Sequence, residues 1–374
     1  MSDNIFEGAK KLGFGLMRLP LLDPKDESSV DIEHMKKMVD AYMEAGFTYF
    51  DTAIMYCSGR SESAVKEALT SRYPRESYTL ATKLHSGFFK DKADRDVVFN
   101  RQLEKTGAQY FDYYLIHDIE AVNYDRYKEM DCFNWALEKK AQGLIKHLGF
   151  SFHDTAELLE KVISEHPEME FVQLQINYLD WESNDVQSRL CYEVARRHNL
   201  PIVVMEPVKG GKLANVPESV ESMLKEAEPD LSVASWAVRF AASCPGVEMV
   251  LSGMSNMDQM NDNLSYMKDF KPLKEEENAL VLKAGEIIAG REVIPCTGCA
   301  YCTGGCPVNI PIPRYFDLYS EYVRSGEGKS EYDELSATAG KASECLECGQ
   351  CEEICPQHLP IISNLKKVAG ALEG

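Results

Sequence analysis

The sequence lacks the long apolar segments that export and membrane insertion require. Nowhere do about 18 apolar residues follow one another, and the N-terminal stretch MSDNIFEGAKKLGFG contains no apolar signal core. Positive charge is also scarce, because 40 lysines and arginines face 60 aspartates and glutamates, for a net charge of −20. Such a field repels phosphate backbones and anionic lipids. We therefore expect a cytoplasmic protein with neither a nucleic-acid nor a membrane partner.

Familiar nucleotide-binding motifs are missing as well. The glycines at 13 and 15 in GFGLMR are not followed by the third glycine of a G-x-G-x-x-G fingerprint. The Gly210, Gly211, Lys212 run lacks the Walker spacing, and no flavin motif is present. The sequence therefore predicts neither a Rossmann site nor a P-loop.

What the chain does have is a repeated pattern of short apolar runs and longer amphipathic segments. The length of 374 residues suggests about two domains, and a hydrophobic content of 44% suffices for a large core. Eight strand candidates occur between Leu12 and Met254: LGFGLM, FTYFDTA, YTLATKL, YYLIHDI, HLGFSF, FVQLQIN, IVVMEP and EMVLSGM. This α/β pattern predicts a closed (β/α)8 TIM barrel over residues 1–284, followed by a second domain over 285–374.

Cysteine is concentrated in the second domain, which holds eight of the twelve cysteines. In a reducing compartment, clustered cysteines indicate metal ligands rather than disulfides. They form two Cys-x-x-Cys-x-x-Cys-x-x-x-Cys-Pro motifs: Cys296, Cys299, Cys302 and Cys306, then Cys345, Cys348, Cys351 and Cys355. This is the spacing of bacterial ferredoxins, in which the fourth cysteine of each run binds the other cluster.

The motifs predict two 4Fe–4S clusters, with zinc as the alternative metal. Three closely spaced thiolates can wrap one face of a cubane, whereas the cysteine before proline points to the second cubane. One cluster would use Cys296, Cys299, Cys302 and Cys355, and the other Cys345, Cys348, Cys351 and Cys306. The long segment between the motifs predicts a mostly α-helical ferredoxin-like domain. The clusters would transfer single electrons or stabilise the fold.

Ionisable residues lie at the C-terminal ends of three predicted strands, where barrel enzymes carry their chemistry. Asp51 ends the second strand and Tyr56 follows in the loop, Lys83 ends the third strand, and His117 ends the fourth. A lysine cation beside a tyrosine lowers the pKa of the hydroxyl, and Asp51 would hold that lysine. The histidine would orient a substrate oxygen. This set suits reduction of a carbonyl by a dihydronicotinamide.

The barrel resembles the aldo-keto reductase family. The family's tetrad is matched by FDTAIMY (Asp51, Tyr56), ATK (Lys83) and LIH (His117), and SGRSE resembles its Gly-x-Ser-Glu helix start. The resemblance covers about residues 10 to 265. With its tail, the whole chain resembles the bacterial and archaeal branch that carries a C-terminal dicluster ferredoxin domain.

The resemblance implies that NADPH or NADH lies extended across the barrel mouth. The implied cofactor contacts are Gly15, Leu16, Met17, Ser151, Phe152, Gln173, Met205, Glu206, Pro207, Val208, Gly253, Gln259 and Asn263. Two regions depart from the family pattern. Glu206 stands where a pyrophosphate-binding serine is usual, so that Lys209 or Lys212 would have to compensate, and Gly253 and Gln259 replace cations that hold a 2′-phosphate. NADH, weak nucleotide binding, or electrons arriving only through the clusters all stay open.

Two functions follow. The first is an iron–sulfur oxidoreductase that reduces an aldehyde or ketone, or oxidises the alcohol. The second is an electron carrier or redox-interaction protein whose barrel no longer turns over carbonyls, with a ferredoxin or flavoprotein as partner. Hydride transfer moves two electrons and a cubane passes one, so that coupling them normally needs a flavin or a radical. A tail packed over the barrel mouth would place substrate selection and electron entry on one surface.

Overall fold

The computed structural model describes residues 5–290 and 293–374, and within them eight parallel strands close into a barrel in sequence order. The strands are β1 (Leu12–Gly15), β2 (Tyr49–Asp51), β3 (Thr79–Leu84), β4 (Phe111–Ile119), β5 (Ile145–Phe152), β6 (Phe171–Gln175), β7 (Ile202–Met205) and β8 (Val247–Ser252). All eight predicted strands are present, most of them shorter than their apolar runs. The predicted TIM barrel is confirmed.

Helices follow the strands and form the outer layer. Around the barrel lie α1 (Ile32–Glu44), α2 (Ser61–Val65), α3 (Asp94–Thr106), α4 (Tyr124–Glu129), α5 (Cys132–Ala141), α6 (Ala156–Glu165), α7 (Ser188–Arg197), α8 (Glu218–Ala227), α9 (Val233–Ser243), α10 (Met257–Met267) and α11 (Glu275–Ala289). The first helix illustrates the local rules. Asp31 caps it by accepting a hydrogen bond from the His34 amide, and Met35, Met38 and Tyr42 recur on one buried face.

The barrel interior is filled by side chains and is sealed at its lower end. Phe6 stacks on Tyr113, with ring centroids 5.0 Å apart, and packs edge-on against Phe171. Space for this packing comes from Gly149, where a Cβ atom would lie 2.6 Å from the Phe171 ring. The lower end is therefore closed, and the C-terminal ends of the strands form the open mouth.

The tail has its own hydrophobic core, made by α12 (Ile312–Ser325), α13 (Lys329–Ser336), α14 (Gln350–Glu353) and α15 (Ile361–Leu372). It contains no β-strand among residues 293–374, so the expectation of a mostly α-helical domain is confirmed. The α11 helix runs through the predicted domain boundary at residue 284 and packs on the barrel, and the boundary itself stays a prediction. In the described ranges, no helix is both long and apolar enough to cross a membrane.

Candidate active site and cluster-binding tail

A buried ion pair lies directly beneath the barrel mouth. Lys83 Nζ donates hydrogen bonds to Asp51 Oδ1 at 2.6 Å and to the Thr52 carbonyl at 2.9 Å, and neither charged side chain is more than 2% exposed. Burial lowers the pKa of Lys83 and raises that of Asp51, while the attraction between the two charges opposes both shifts. The adjacent strands β2 and β3 thus hold an ammonium group in one fixed position.

Tyr56 and His117 lie above this pair. Lys83 Nζ is 4.8 Å from the centre of the Tyr56 ring, and the Tyr56 and His117 rings meet edge-on at 6.1 Å. Burial raises the pKa of Tyr56 well above its ordinary value, and Asp51 adds to the shift. The lowering of this pKa expected from Lys83 is thus outweighed by burial and by the surrounding acidic groups. Tyr56 keeps its proton at neutral pH.

His117 is neutral and has a free ring nitrogen. Burial, together with the nearby Lys83 cation, lowers the pKa of His117 well below its ordinary value. Among residues 5–290 and 293–374, neither its Nδ1 nor Oδ2 of Asp51 has a hydrogen-bond partner, although both atoms are buried. Buried polar atoms without partners are uncommon and mark places where a ligand or water completes the site.

Three further ionisable residues, which the sequence analysis missed, surround His117. Asp118 lies between two imidazoles, with Oδ1 3.5 Å from His153 Nε2 and Oδ2 3.7 Å from His85 Nε2. Burial acts to raise the pKa of Asp118, but the imidazoles outweigh it and hold that pKa below its usual range. His85 and His153 directly follow β3 and β5, and Asp118 is the second-last residue of β4, so the signal that found the tetrad could have found them.

The mouth of the barrel holds a cavity of about 320 Å³ above these residues. Asp51, Tyr56 and His117 line it, whereas Lys83 lies behind them and is fully buried. Of the residues predicted to bind the nucleotide, the lining includes Gly15, Met17, Gln173, Met205, Glu206, Pro207, Val208, Gly253, Gln259 and Asn263. Most of the predicted cofactor contacts therefore line one cavity.

Three predicted cofactor contacts lie outside the lining. Leu16 is buried in the barrel core, and its carbonyl accepts a hydrogen bond from Ser61 at 2.9 Å. The Ser151 hydroxyl accepts a hydrogen bond from the Asp118 amide at 2.7 Å. Phe152 faces a separate groove beside the mouth. Leu16 directly follows β1, and Ser151 and Phe152 are the last two residues of β5. Their side chains are used for packing or for holding the end of β4.

Glu206 pairs with Arg18, a residue that the sequence analysis did not consider. Arg18 Nη1 lies 3.7 Å from Glu206 Oε1, and both side chains face the cavity. Lys209, one of the two predicted compensating cations, instead forms a buried ion pair with Asp180. The other, Lys212, reaches the tail, where its Nζ lies 3.5 Å from the Ile294 carbonyl.

The tail covers the barrel mouth. Cys299, Tyr301, Pro356 and Gln357 line the same cavity as Tyr56. The side-chain amides of Gln357 and Gln175 exchange two hydrogen bonds of 3.0 and 3.1 Å, and His358 Nε2 lies 2.6 Å from the His153 carbonyl. The two predicted domains therefore share one surface at the active-site end.

A glycine makes this close approach possible. The backbone of Gly210 lies against the tail, and a Cβ atom there would be 2.1 Å from the Thr297 carbonyl oxygen. Its φ of +64° also disfavours other residues. The loop after β7, which contributes Glu206 to the cavity, is thereby fixed under the tail.

The eight tail cysteines fall into two sets around two separate cavities. Cys296, Cys299, Cys302 and Cys355 line one, and Cys306, Cys345, Cys348 and Cys351 line the other. These are the two ligand sets predicted from the spacing. In the described ranges, no three histidine, cysteine or acidic side chains converge closely enough to share a single metal ion.

The surroundings of the cysteines suit a cluster. Backbone amides of Gly298 and Ile310 donate to the sulfurs of Cys296 and Cys306, each at 3.4 Å, and such bonds tune iron–sulfur centres. Burial raises the pKa of Cys299 to about 11, so that thiolate formation there depends on the positive charge of a bound metal. The first set adjoins the active-site cavity through Cys299, whereas Cys348 of the second set is exposed.

Two family models match the chain. The Aldo/keto reductase family model matches residues 11–286, and a 4Fe-4S dicluster domain model matches residues 295–360. The iron–sulfur prediction is thereby favoured over zinc. The first match spans the whole barrel and the second spans both cysteine motifs.

Similar proteins and structures agree with these matches. An uncharacterized oxidoreductase of Bacillus subtilis, YqkF, is 26% identical over 278 residues, which are 65% of this chain and 85% of the relative. A component of an ion-translocating oxidoreductase complex from Buchnera aphidicola is 30% identical over 67 residues, which are 18% of this chain and 12% of that protein.

Solved structures resemble the barrel. A Klebsiella pneumoniae aldo-keto reductase in complex with NADPH superposes with a TM-score of 0.58 at 18% identity, covering 75% of this chain and 92% of that one. A thermostable aldo-keto reductase bound to the inhibitor epalrestat gives 0.59 at 22% identity, covering 73% and 94%. The mouth, the tail and the matches lead to one conclusion: the chain belongs to the aldo/keto reductase family of oxidoreductases and carries a 4Fe–4S dicluster domain over its active-site end.

Proposed function

We propose that the protein reduces an aldehyde or ketone to the alcohol, or catalyses the reverse oxidation, at Tyr56, Lys83, Asp51 and His117. The supporting observation is the placement of the Tyr56 and His117 rings at the wall of one cavity, directly above the Lys83–Asp51 pair. The neutral states of Tyr56 and His117 suit this chemistry, because both can donate a hydrogen to a substrate oxygen.

A dihydronicotinamide, when bound, supplies the hydride. His117 then donates a hydrogen bond from a ring nitrogen to the carbonyl oxygen and holds it against Tyr56. Tyr56 gives its hydroxyl proton to that oxygen as negative charge develops there. Lys83 stabilises the resulting phenolate, and Asp51 keeps the ammonium in place. Tyr56 accepts the proton in the reverse direction.

The nucleotide would lie in the 320 Å³ cavity, and we propose NADH as the preferred form over NADPH. Arg18 is the only lysine or arginine in the described lining, and its guanidinium lies 3.7 Å from Glu206, although its Cβ packs beside Gly253. The Gln259 side chain accepts a hydrogen bond from the Ser255 amide at 2.7 Å and offers no charge to a 2′-phosphate.

An anaerobic calorimetric titration of the cluster-loaded protein tests this proposal. We expect NADH to bind more tightly than NADPH and to be oxidised when an aldehyde is added. Binding of neither nucleotide would contradict the proposed hydride chemistry. Tighter binding of NADPH would leave the reaction intact and contradict the cofactor preference.

We propose that the tail binds two 4Fe–4S clusters that transfer electrons, one per cysteine set. The support is the separation of the eight sulfurs into two cages. About eight iron atoms per chain are expected from metal analysis. Replacement of the exposed Cys348 by alanine should lower the iron content by up to half, and an unchanged content would contradict its role as a ligand.

An electron carrier is the second candidate function, with a ferredoxin or flavoprotein as partner. It is favoured by the exposure of Cys348, which places one cysteine set at the surface. Failure to bind either nucleotide, together with fast electron exchange between the clusters and a ferredoxin, would support this candidate over carbonyl reduction.

A further inference from the structure

The two cysteine sets of the tail differ in their contact with the barrel. The first set comprises Cys296, Cys299, Cys302 and Cys355, and the second comprises Cys306, Cys345, Cys348 and Cys351. Cys299 and Gln357, which border the cage of the first set, also line the cavity proposed for the nucleotide. In the described ranges, no residue that lines the cage of the second set lines that cavity. The first set is thus the one that adjoins the barrel mouth.

The loop of the first set, residues 296–302, supports the segment that follows β7, residues 206–214. A Cβ atom on Gly210 would lie 2.1 Å from the Thr297 carbonyl oxygen, so the two backbones are in direct contact. The same segment begins with Glu206, which lines the cavity proposed for the nucleotide. The position of this part of the cavity wall therefore depends on the cysteine loop.

The same loop supports the segment that follows β1, residues 16–22. Arg18 Nη2 donates to the Thr297 carbonyl at 3.4 Å, and the Tyr301 hydroxyl reaches the Met17 sulfur at 3.9 Å. Met17 and Arg18 line the nucleotide cavity as well. The strands β1 and β7 stand on either side of β8 in the barrel. We call residues 16–22 and 206–214 the mouth segments, and one carbonyl of the tail, that of Thr297, contacts both of them.

The cysteine loop depends on its ligand sulfurs for its shape. Residues 295–300 form neither helix nor strand, and the Gly298 amide donates its hydrogen bond to the Cys296 sulfur at 3.4 Å. Ala300 takes a φ of +63°, which is uncommon for a residue other than glycine. Such a conformation persists only where the surroundings fix it. Anchoring of the cysteine side chains by a bound cluster supplies that constraint, because metal binding and the ordering of the ligand loop are linked.

We propose that the first cysteine set, when it holds its cluster, fixes the mouth segments in the shape that receives the nucleotide. Loss of that cluster opens the barrel mouth, whereas loss of the second cluster leaves the mouth intact. This proposal rests on the proposed function, which assigns clusters to the cysteines and the nucleotide to the cavity. The coupling is reciprocal, so that separating a mouth segment from the tail destabilises the first cluster.

Two cysteine variants of the full chain, loaded with clusters under anaerobic conditions, test the division between the sets. Cys302→Ala removes one thiol from the first set, and Cys348→Ala removes one from the second. Hydrogen–deuterium exchange of the mouth segments should be about tenfold faster in Cys302→Ala and equal to the wild type in Cys348→Ala. Exchange in α1 should match the wild type in both variants. Wild-type exchange of the mouth segments in Cys302→Ala, or equal acceleration in the two variants, would overturn the proposal.

A barrel-side variant tests the reciprocal effect and leaves all eight cysteines in place. Gly210→Ala puts a methyl group into the space of the Thr297 carbonyl, and Gly211→Ala is the matched control, since a Cβ atom there would meet nothing within 4 Å. Gly210→Ala should release half of its iron to a chelator about tenfold faster than the wild type and the other half at the wild-type rate. Gly211→Ala should release both halves as the wild type does. If Cys302→Ala loses all its iron, Gly210→Ala decides alone, and unchanged release, or equal acceleration of both halves, refutes the proposal.

Calorimetric titration with NADH connects the mouth segments to the nucleotide. Cys302→Ala should bind NADH about tenfold more weakly than the wild type, and Cys348→Ala should bind it with wild-type affinity. Equal affinity of the wild type and Cys302→Ala would overturn the proposal. Absence of NADH binding to the wild type would instead count against the proposed hydride chemistry, and the exchange and iron-release measurements would still decide whether the first cluster fixes the mouth.

Discussion

Two buried carboxylates at opposite ends of the barrel, Asp112 and Asp51, differ in how many of their oxygens have hydrogen-bond partners. At the lower end, Asp112 accepts hydrogen bonds from Arg75 at 2.5 Å, from Lys146 at 3.0 Å and from the Leu80 amide at 2.9 Å. Both oxygens of this carboxylate are thus occupied. At the mouth, Asp51 uses one oxygen for Lys83 and leaves the other buried without a partner in the described chain.

A second pair of residues, Glu170 and Gln173, shows the same contrast. Glu170, just before β6, is held by His147, Lys140 and the Leu148 amide. Gln173, further along the same strand towards the mouth, has a buried Oε1 with no partner among the described residues. A satisfied polar group stabilises a fold, whereas an unsatisfied one is retained where a ligand completes it. We therefore expect Asp112 and Glu170 at the lower end to serve stability, and Asp51 and Gln173 at the mouth to serve chemistry.

The largest expected effect comes from removing a hydroxyl at the mouth. Tyr56→Phe should lower the rate of carbonyl reduction about 100-fold or more, because the substrate oxygen loses its proposed proton donor. Stopped-flow measurement of NADH oxidation under anaerobic conditions gives the rate. Iron content and melting temperature should match those of the wild type, and unchanged turnover would refute the proton-donor role.

Replacing Glu170 at the lower end should lower the stability of the protein and leave its activity unchanged. Burial acts to raise the pKa of Glu170, but hydrogen bonds from His147 and Lys140 lower it to about 2. The ionised form is thus favoured by folding, and this stabilisation is present above the ordinary glutamate pKa of about 4.3 and is lost as the pH falls from there towards 2. Glu170→Gln should reduce the free energy of unfolding by about 2 kcal/mol at pH 7 and leave kcat unchanged.

Urea unfolding followed by circular dichroism, at pH 7 and near pH 3, measures this effect. The difference between Glu170→Gln and the wild type should shrink at the lower pH. Glu76→Gln provides the control, since Glu76 is an exposed carboxylate at the same end of the barrel. If Glu170→Gln lost activity but kept the stability of the wild type, the assignment of Glu170 to stability rather than to chemistry would be wrong.

A smaller effect is expected from a charge at the mouth. Glu206→Gln removes a carboxylate from the cavity proposed for the nucleotide and frees Arg18 from its pairing at 3.7 Å. NADH should bind about three- to tenfold more tightly, because its pyrophosphate no longer faces a negative group. Calorimetry gives the dissociation constants, and weaker binding would place the pyrophosphate elsewhere.

The smallest effect concerns pH. Because the pKa of His117 lies well below its ordinary value and that of Tyr56 well above, both groups keep their neutral forms through the neutral range. The kcat/KM of the wild type for aldehyde reduction should therefore show no step near the ordinary histidine pKa of about 6.5. A step at that pH that disappears in His117→Asn would mean that His117 is charged in the free enzyme.

Covalent spacing allowed the sequence to predict the tail in detail. Ligands separated by only two residues readily share one cage, so Cys296, Cys299 and Cys302 were predictable as neighbours. The pairing of Cys355 with them follows from the ferredoxin spacing. The tetrad was predictable for a related reason, since parallel strands of a barrel end at one mouth.

Contacts between distant loops were not predictable in this way. Glu206 pairs with Arg18 and not with Lys209, because Lys209 forms an ion pair with the buried Asp180. Asp180 is distant from Lys209 in the sequence and lies beside it only in the folded chain. Ser151 is drawn away from the cavity by the Asp118 amide for the same reason. Strand periodicity fixes which face a residue occupies, but it does not fix which of several partners a side chain selects.

The contact between Gly210 and the Thr297 carbonyl sets a condition for protein engineering. The tail of this protein cannot be transplanted onto another reductase barrel by matching surfaces alone, since any side chain at the position of Gly210 would occupy the space of a backbone oxygen. A recipient barrel would need a glycine in its loop after β7.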